Sequence, residues 1–115
     1  MADDCLFCNI INGKIPSKKV LENELVFAFE DINPQAPVHV LIVPKKHVDT
    51  LNDVDASFDK YLGAMFAAAK ELAAQKGIAA PGYRTVFNVN KDAGQEVFHL
   101  HLHLLGGRKF KWPPG

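Results

Sequence analysis

The chain lacks any excess of charge: thirteen Lys and Arg stand against thirteen Asp and Glu in 115 residues. A protein whose main task is gripping a nucleic-acid backbone needs a cationic surplus, so nucleic acid is not an expected partner. It also lacks an apolar run approaching the roughly 20 residues that cross a bilayer, so no membrane partner is expected. The opening Met-Ala-Asp-Asp is acidic where a secretory signal would be basic. Cysteine is scarce, with Cys5 and Cys8 alone, which together with that acidic start leads us to expect a reducing, cytoplasmic setting. Repeats and low-complexity tracts are missing. Trp112 is the single tryptophan, and a lone Trp in a proline-rich ending is more often packing than recognition. The chain does have apolar residues, 48% of the total, enough for a real core. Its length fits one domain over 1–115 that buries roughly two-thirds of its unfolded surface.

The most informative stretch is Phe98-His99-Leu100-His101-Leu102-His103-Leu104. Histidine and a large apolar residue alternate without a break, which is the period of a β-strand. One face would carry His99, His101 and His103 at Cα spacings of roughly 6–7 Å, and the other would send Phe98, Leu100, Leu102 and Leu104 into a core. A helix would scatter these imidazoles around its surface. Ordinary strands use Thr, Lys or Glu at polar positions, so three histidines in register mark a chemical site.

The rest of the chain reads as an α+β domain around an antiparallel sheet of about five strands, with one long and one short helix. Residues 4–12 pattern as a short amphipathic helix with Leu6, Phe7, Ile10 and Ile11 on its apolar face. Asp3 or Asp4 is positioned to cap it and Asn12-Gly13 to stop it. Strands are expected at 19–22 and 25–30, joined as a hairpin, and at 38–43, where His39 shares a face with Leu41 and Val43. Between them, Asp31 to Pro37 forms a loop stiffened by Pro34 and Pro37. Residues 54–76 carry Phe58, Tyr61, Leu62, Met65, Ala69, Leu72 and Ala73 at helical spacing, with Asp53 as N-cap and Gly77 after the end. The run Ala67-Ala68-Ala69 keeps part of that helix's surface small. Strand Tyr83–Val89 and a polar loop over 88–95 lead into the histidine strand. Gly94 in that loop could let backbone N–H groups approach an anion.

Three chemistries compete for the histidine face: a catalytic zinc on two imidazoles and a third ligand, a histidine attacking phosphorus, or simple anion binding. Cys5-x-x-Cys8 has three readings of its own, as a structural disulfide, a redox dithiol or half of a metal site. The two thiols and two spare histidines also make a closed four-ligand set of the composition used by structural zinc.

His99-Leu-His101-Leu-His103-Leu-Leu105 resembles the His-φ-His-φ-His-φ-φ signature of the histidine triad (HIT) superfamily of nucleotide hydrolases and transferases. The resemblance extends to Cys5-Leu-Phe-Cys-Asn-Ile-Ile-Asn-Gly-Lys-Ile-Pro16, Phe29-Glu-Asp31-Ile-Asn-Pro-Gln-Ala-Pro37, Val38-His39-Val-Leu-Ile-Val-Pro-Lys-Lys-His47, Gly94-Gln95 and Gly106-Gly-Arg108. The ending Trp112-Pro-Pro-Gly115 is similar to the Hint branch, adenosine phosphoramidases that act on AMP joined to an amine. The transferase branch has Gln for the third histidine, so His103 implies a hydrolase.

The resemblance implies His101 as nucleophile, with His39 and His103 orienting it and handling the phosphate or the leaving amine. It implies Asp31 on the ribose hydroxyls, and Phe7, Ile15, Phe29, Ile32 and Leu41 around a purine. Asn88 with Gly94, Gln95, Glu96 and Val97 would hold phosphate. Glu96 departs from well-known eukaryotic members, which carry Ser there. A carboxylate repels phosphate, so only the local backbone is expected to bind. Cys5, Cys8, His47 and His99 would hold a structural zinc, and catalysis itself would need no cofactor. A homodimer is implied, joined through the small-residue face of the 54–76 helix and the strand near Tyr83–Val89. The basic, aromatic tail around Lys111 and Trp112 would then lie close to the partner's site. The implied activity is hydrolysis of purine nucleoside phosphoramidates, AMP or GMP conjugates, through a covalent nucleotidyl-histidine. The alternatives are a nucleotide-binding adaptor with little turnover and a zinc hydrolase using the same strand.

Overall fold

The computed structural model describes residues 4–115. Its elements are α1 (Leu6–Ile11), β1 (Lys19–Glu22), β2 (Val26–Glu30), β3 (Val38–Pro44), α2 (Asp59–Gln75), β4 (Tyr83–Phe87), the single turn α3 (Asn90–Ala93) and β5 (Leu102–Gly106). The strands form one antiparallel sheet in the order β1-β2-β3-β5-β4. The fold is therefore the expected α+β arrangement, with α3 as an addition inside the loop over 88–95. No helix among the described residues is long and apolar enough to cross a membrane.

Period-two alternation sorts the strand residues onto two cores. Val26, Ala28, Val40, Ile42, Leu102 and Leu104 face α2, whose Met65, Ala68, Ala69, Leu72 and Ala73 cover them. Leu72 is fully buried there, and truncating it to Ala would cost about 2–5 kcal/mol. Phe27, Phe29, Leu41 and Val43 face the other way and are covered by Phe7, Cys8 and Ile10 of α1. His39 and His103 fall on this second face through the pairing of Leu41 with His103 and of His39 with Leu105. The long helix thus closes one side, and the short helix leaves the histidine side partly open.

Several boundaries differ from expectation for local reasons. The N-cap of α1 is Cys5, whose Sγ accepts the Cys8 N–H at 3.3 Å; Asp4 does not cap it, and Asp3 lies outside the described residues. Leu6 is exposed, so the buried face of α1 is Phe7, Cys8 and Ile10. The long helix begins at Asp59, because two 3-10 turns, Leu51–Asp53 and Ala56–Phe58, occupy the approach. Thr50 and Asp53 cap the first turn reciprocally, and Asp55 caps the second, so Asp53 serves that turn and not α2. Gly77 closes α2 at φ +75°, as its sequence position implies. Ala68 and Ala69 are spent on the chain's own core, which leaves Gly63, Phe66, Ala67 and Ala74 outward.

The histidine strand shows the largest difference. Hydrogen-bonded pairing covers only Leu102–Gly106: Ile42 of β3 and Phe87 of β4 are the last partners, each opposite Leu102, and beyond them β4 has ended while β3 runs on to Pro44 paired with β2 alone. Residues 98–101 pair with neither strand, and Leu100 instead donates its N–H to the Val48 carbonyl at 2.8 Å. Leu100, Leu102 and Leu104 still enter the core, whereas Phe98, expected with them, is 45% exposed.

Candidate functional site

The open face holds a cavity of about 560 Å³ whose floor is the sheet and whose wall is α1. Phe7, Ile15, Phe29 and Leu41 supply its apolar side, with Ile32, fully exposed, at the rim. Phe7 packs edge-on against Phe29 at 5.5 Å and against His101 at 5.0 Å between ring centroids. His39, His101, His103, Asp31, Asn88, Gly94, Glu96 and Val97 supply the polar side. All but one of the residues expected around a nucleotide therefore meet in one cavity. Sequence reading did not single out the neighbours Ser17, Asn33 and Gln35, which enter the wall from loops whose path the alternation pattern cannot report.

Gln95 is the exception. Its buried side chain accepts from the Asn90 N–H at 2.9 Å and donates to the carbonyls of Asp49 at 2.8 Å and Val97 at 3.1 Å. It brackets the loop from behind and does not line the cavity. The N–H groups of Gly94 and Gln95 are also taken, by the carbonyls of Lys91 and Asn90 at 3.0 and 3.1 Å. The N–H groups of Glu96 and Val97, which follow, have no protein acceptor among the described residues.

The imidazoles are held in defined orientations. His101 Nδ1 lies 2.8 Å from the His99 carbonyl, which must accept; Nδ1 thus carries the proton and Nε2 keeps its lone pair. His39 Nε2 lies 2.9 Å from His103 Nδ1 and 3.4 Å from Asp31 Oδ2. Burial pushes the pKa of His103 down to about 4 and lowers those of His101 and His39, partly opposed at both by the Asp31 charge. All three are neutral at pH 7. Asp31 accepts the Asn33 N–H through Oδ1 at 2.8 Å, which fixes its carboxylate at the cavity edge.

His99 points away from this group into a second cluster. Its Nδ1 lies 3.2 Å from Cys5 Sγ, 3.5 Å from Cys8 Sγ and 3.0 Å from His47 Nδ1, and Cys8 Sγ lies 3.5 Å from His47 Nδ1. The four donor atoms lie within 4.8 Å of one another, and a tetrahedral ion with Cys and His ligands sets them about 3.4–3.8 Å apart. The outer nitrogens strengthen the fit. His99 Nε2 donates to the Pro44 carbonyl at 2.8 Å and His47 Nε2 to Asp49 at 2.7 Å. With Nε2 engaged in this way, the two Nδ1 atoms and the two Sγ atoms converge on one point, as ligands around a cation do. Burial and the neighbouring Cys5 thiol push the Cys8 pKa up to about 11, so a thiolate there also needs a cation. The residues fit a four-coordinate metal ion. Asp49 was not foreseen, although its place two residues after His47 was the available signal.

Comparison with known proteins agrees with this geometry. The HIT domain family profile matches residues 12–110. The chain is 50% identical over 108 residues to the purine nucleoside phosphoramidase of Escherichia coli K12, covering 94% of this chain and 91% of that protein. The crystal structure of a HIT family hydrolase from Legionella pneumophila superposes with a TM-score of 0.95 at 54% identity, covering 97% of this chain and all of that one. A zinc-bound histidine triad family protein from Mycobacterium smegmatis superposes with a TM-score of 0.82 at 32% identity, over 94% of this chain and 78% of that one. The fold, the three histidines in series and the match over most of the chain place this protein in the HIT domain family.

Proposed function

We propose that this chain, acting as a single domain over 1–115, hydrolyses purine nucleoside phosphoramidates through a nucleotidyl intermediate on His101. One observation carries the reading: the His99 carbonyl holds the His101 Nδ1 proton, so a neutral nucleophilic Nε2 stands in the cavity without a protein partner among the described residues. The name of the 50% identical Escherichia coli relative supports the substrate class. The purine would lie between Phe7, Phe29 and Leu41 under Ile32, an apolar slot that reads a flat ring mainly by shape and so accepts adenine and guanine alike. Asp31 would accept from the vicinal ribose hydroxyls. The N–H groups of Glu96 and Val97, with His103, would meet the phosphoryl oxygens.

In the reaction His101 Nε2 bonds to phosphorus while the phosphorus–nitrogen bond to the amine breaks. The departing nitrogen takes a proton from water and leaves as the amine. The oxygen of that water then bonds to phosphorus, the bond to Nε2 breaks, and the nucleoside monophosphate and neutral His101 remain. His39 and His103 orient the phosphoryl group and are not consumed.

Zinc is the ion we assign to Cys5, Cys8, His47 and His99, in a structural role and not needed for catalysis. When bound it supplies no chemistry to the reacting atoms and ties α1 to the segment that carries His99. We also propose a homodimer: β4 is a sheet edge with Tyr83 40% exposed, and Phe66 of α2 stands 48% exposed beside Phe87 of that strand. Two buried free thiols support a reducing, cytoplasmic setting. Incubation with a fluorogenic AMP–amine substrate tests the activity. Release of the amine with AMP is the expected result, and binding without turnover would leave an adaptor.

A further inference from the structure

His39 is hydrogen-bonded unlike the other imidazoles. His47, His99 and His101 each turn one ring nitrogen toward an oxygen: the Asp49 carboxylate, the Pro44 carbonyl and the His99 carbonyl. An oxygen acceptor keeps the proton on the nitrogen it faces and frees the lone pair of the other. His39 Nδ1 instead accepts a backbone N–H, that of Gln35, at 3.0 Å. A donor there forces the opposite tautomer, with the proton of neutral His39 on Nε2. That Nε2 faces His103 Nδ1 at 2.9 Å, and two protons cannot meet across such a gap. Sharing the His39 proton with Asp31 Oδ2 at 3.4 Å changes nothing, since a proton on His103 Nδ1 would still face it. His103 must then carry its own proton on Nε2, which has no protein partner among the described residues.

We infer that the backbone N–H of Gln35 is a positioning group that fixes the tautomers of His39 and His103 in series, making His103 Nε2 a hydrogen-bond donor to the cavity. What that donor would meet, a phosphoryl oxygen, rests on the function proposed above; the tautomers themselves do not. The donor is firmly placed. Arg108 Nε donates to the Gln35 carbonyl at 3.1 Å, and the Gln35 side chain donates to the Asn33 carbonyl at 3.0 Å. Gly107, at φ +89°, lets the segment after β5 approach so closely that an added Cβ would stand 2.9 Å from Pro37 Cβ.

Two consequences separate the imidazoles. His101 alone presents a bare lone pair to the cavity, so His103 cannot compete with it as a nucleophile. Asp31, His39 and His103 also bring ligand atoms within 4.8 Å of one another, the composition of a two-histidine, one-carboxylate metal site. This second cluster is not a metal site as built, because His39 Nε2 carries a proton where an ion needs a lone pair. Moving that proton to Nδ1 would set it against the Gln35 N–H. The two clusters differ in what their outer nitrogens face, not in residue type.

Long-range proton–nitrogen correlation spectra of the full chain labelled with ¹⁵N at pH 7 test this without any turnover. His39 and His103 should each show a protonated Nε2 and a bare Nδ1, and His101 a protonated Nδ1. A proton on Nδ1 of His39 or His103 overturns the inference. Gln35→Ala keeps the N–H and should leave both tautomers unchanged, whereas Gln35→Pro deletes it and should give a mixture at both rings. Should Gln35→Pro fail to fold, an amide-to-ester replacement at residue 35 removes the same N–H with the side chain intact. Unaltered tautomers after its removal, or altered ones in Gln35→Ala, would show that Gln35 N–H does not set them.

Discussion

Single residues decide what each nitrogen and oxygen in the cavity can do, and several of these decisions were not readable from spacing. The sequence placed His99, His101 and His103 on one face but assigned them no directions. Alternation survives in the burial of Leu100, Leu102 and Leu104, yet the lone-pair assignments come from carbonyls and N–H groups in loops. Asp31 was legible because an acid before a proline-stiffened loop matched a known pattern; Gln35 was not, because its contribution is a main-chain N–H that any residue but proline would supply. Asp31→Ala should lower kcat/KM for ribonucleotide conjugates about 10- to 100-fold, the worth of one charge-assisted hydrogen bond of roughly 1.5–3 kcal/mol. The 2′-deoxy analogues, which keep only the 3′-hydroxyl, should lose less, and an equal loss for both sugars would remove Asp31 from recognition of the 2′-hydroxyl. The lowered pKa of His103 has a sign that can be checked. The folded chain binds fewer protons there than the unfolded chain between the ordinary value near 6.5 and about 4, so stability falls as pH drops through that window. His103→Gln, which cannot titrate, should flatten the pH dependence of the melting temperature between pH 6.5 and 4. An unchanged slope would place the acid sensitivity elsewhere.

At the scale of elements, strand identities, their order along the chain and the long helix were legible because period two and period 3.6 are strong signals. The shortening of β5 was not, because it depends on partners distant in sequence: β4 ends at Phe87 opposite Leu102, and Leu100 turns its N–H to Val48 and not to β3. The 3-10 turns before α2 were hidden for a related reason: Thr50, Asp53 and Asp55 all carry cap chemistry, and sequence alone does not say which turn each one serves. Gly106, the last residue of β5, gives this level a direct test. A Cβ there would sit 2.5 Å from Ile78 Cδ1 and 3.0 Å from Ile78 Cβ, so Gly106→Ala should destabilise the fold by about 1–3 kcal/mol through overpacking. Adding Ile78→Ala should make the combined loss smaller than the sum of the two single losses in denaturant titrations. Strict additivity would mean that the two residues do not press on each other.

For the whole molecule, the metal cluster and the cavity share one strand-leading segment, since His99 serves the first with its ring and the second with its carbonyl. Removing a structural ion with a chelator should therefore lower the melting temperature, with one zinc per chain in elemental analysis of the untreated protein. A chain without zinc, or with zinc ligated by His101, would contradict the assignment. Assembly can be tested separately: Phe66→Asp should convert a dimer to monomer in sedimentation at micromolar concentration, and a wild type that is already monomeric would end the dimer proposal. The central claim is covalent catalysis at His101, and rapid quenching with substrate labelled in the AMP moiety reaches it most directly. Wild type should trap a labelled protein adduct within the first turnover, and His101→Ala should bind AMP but show neither adduct nor turnover; turnover with no adduct in wild type, or an adduct that persists in His101→Ala, would contradict it.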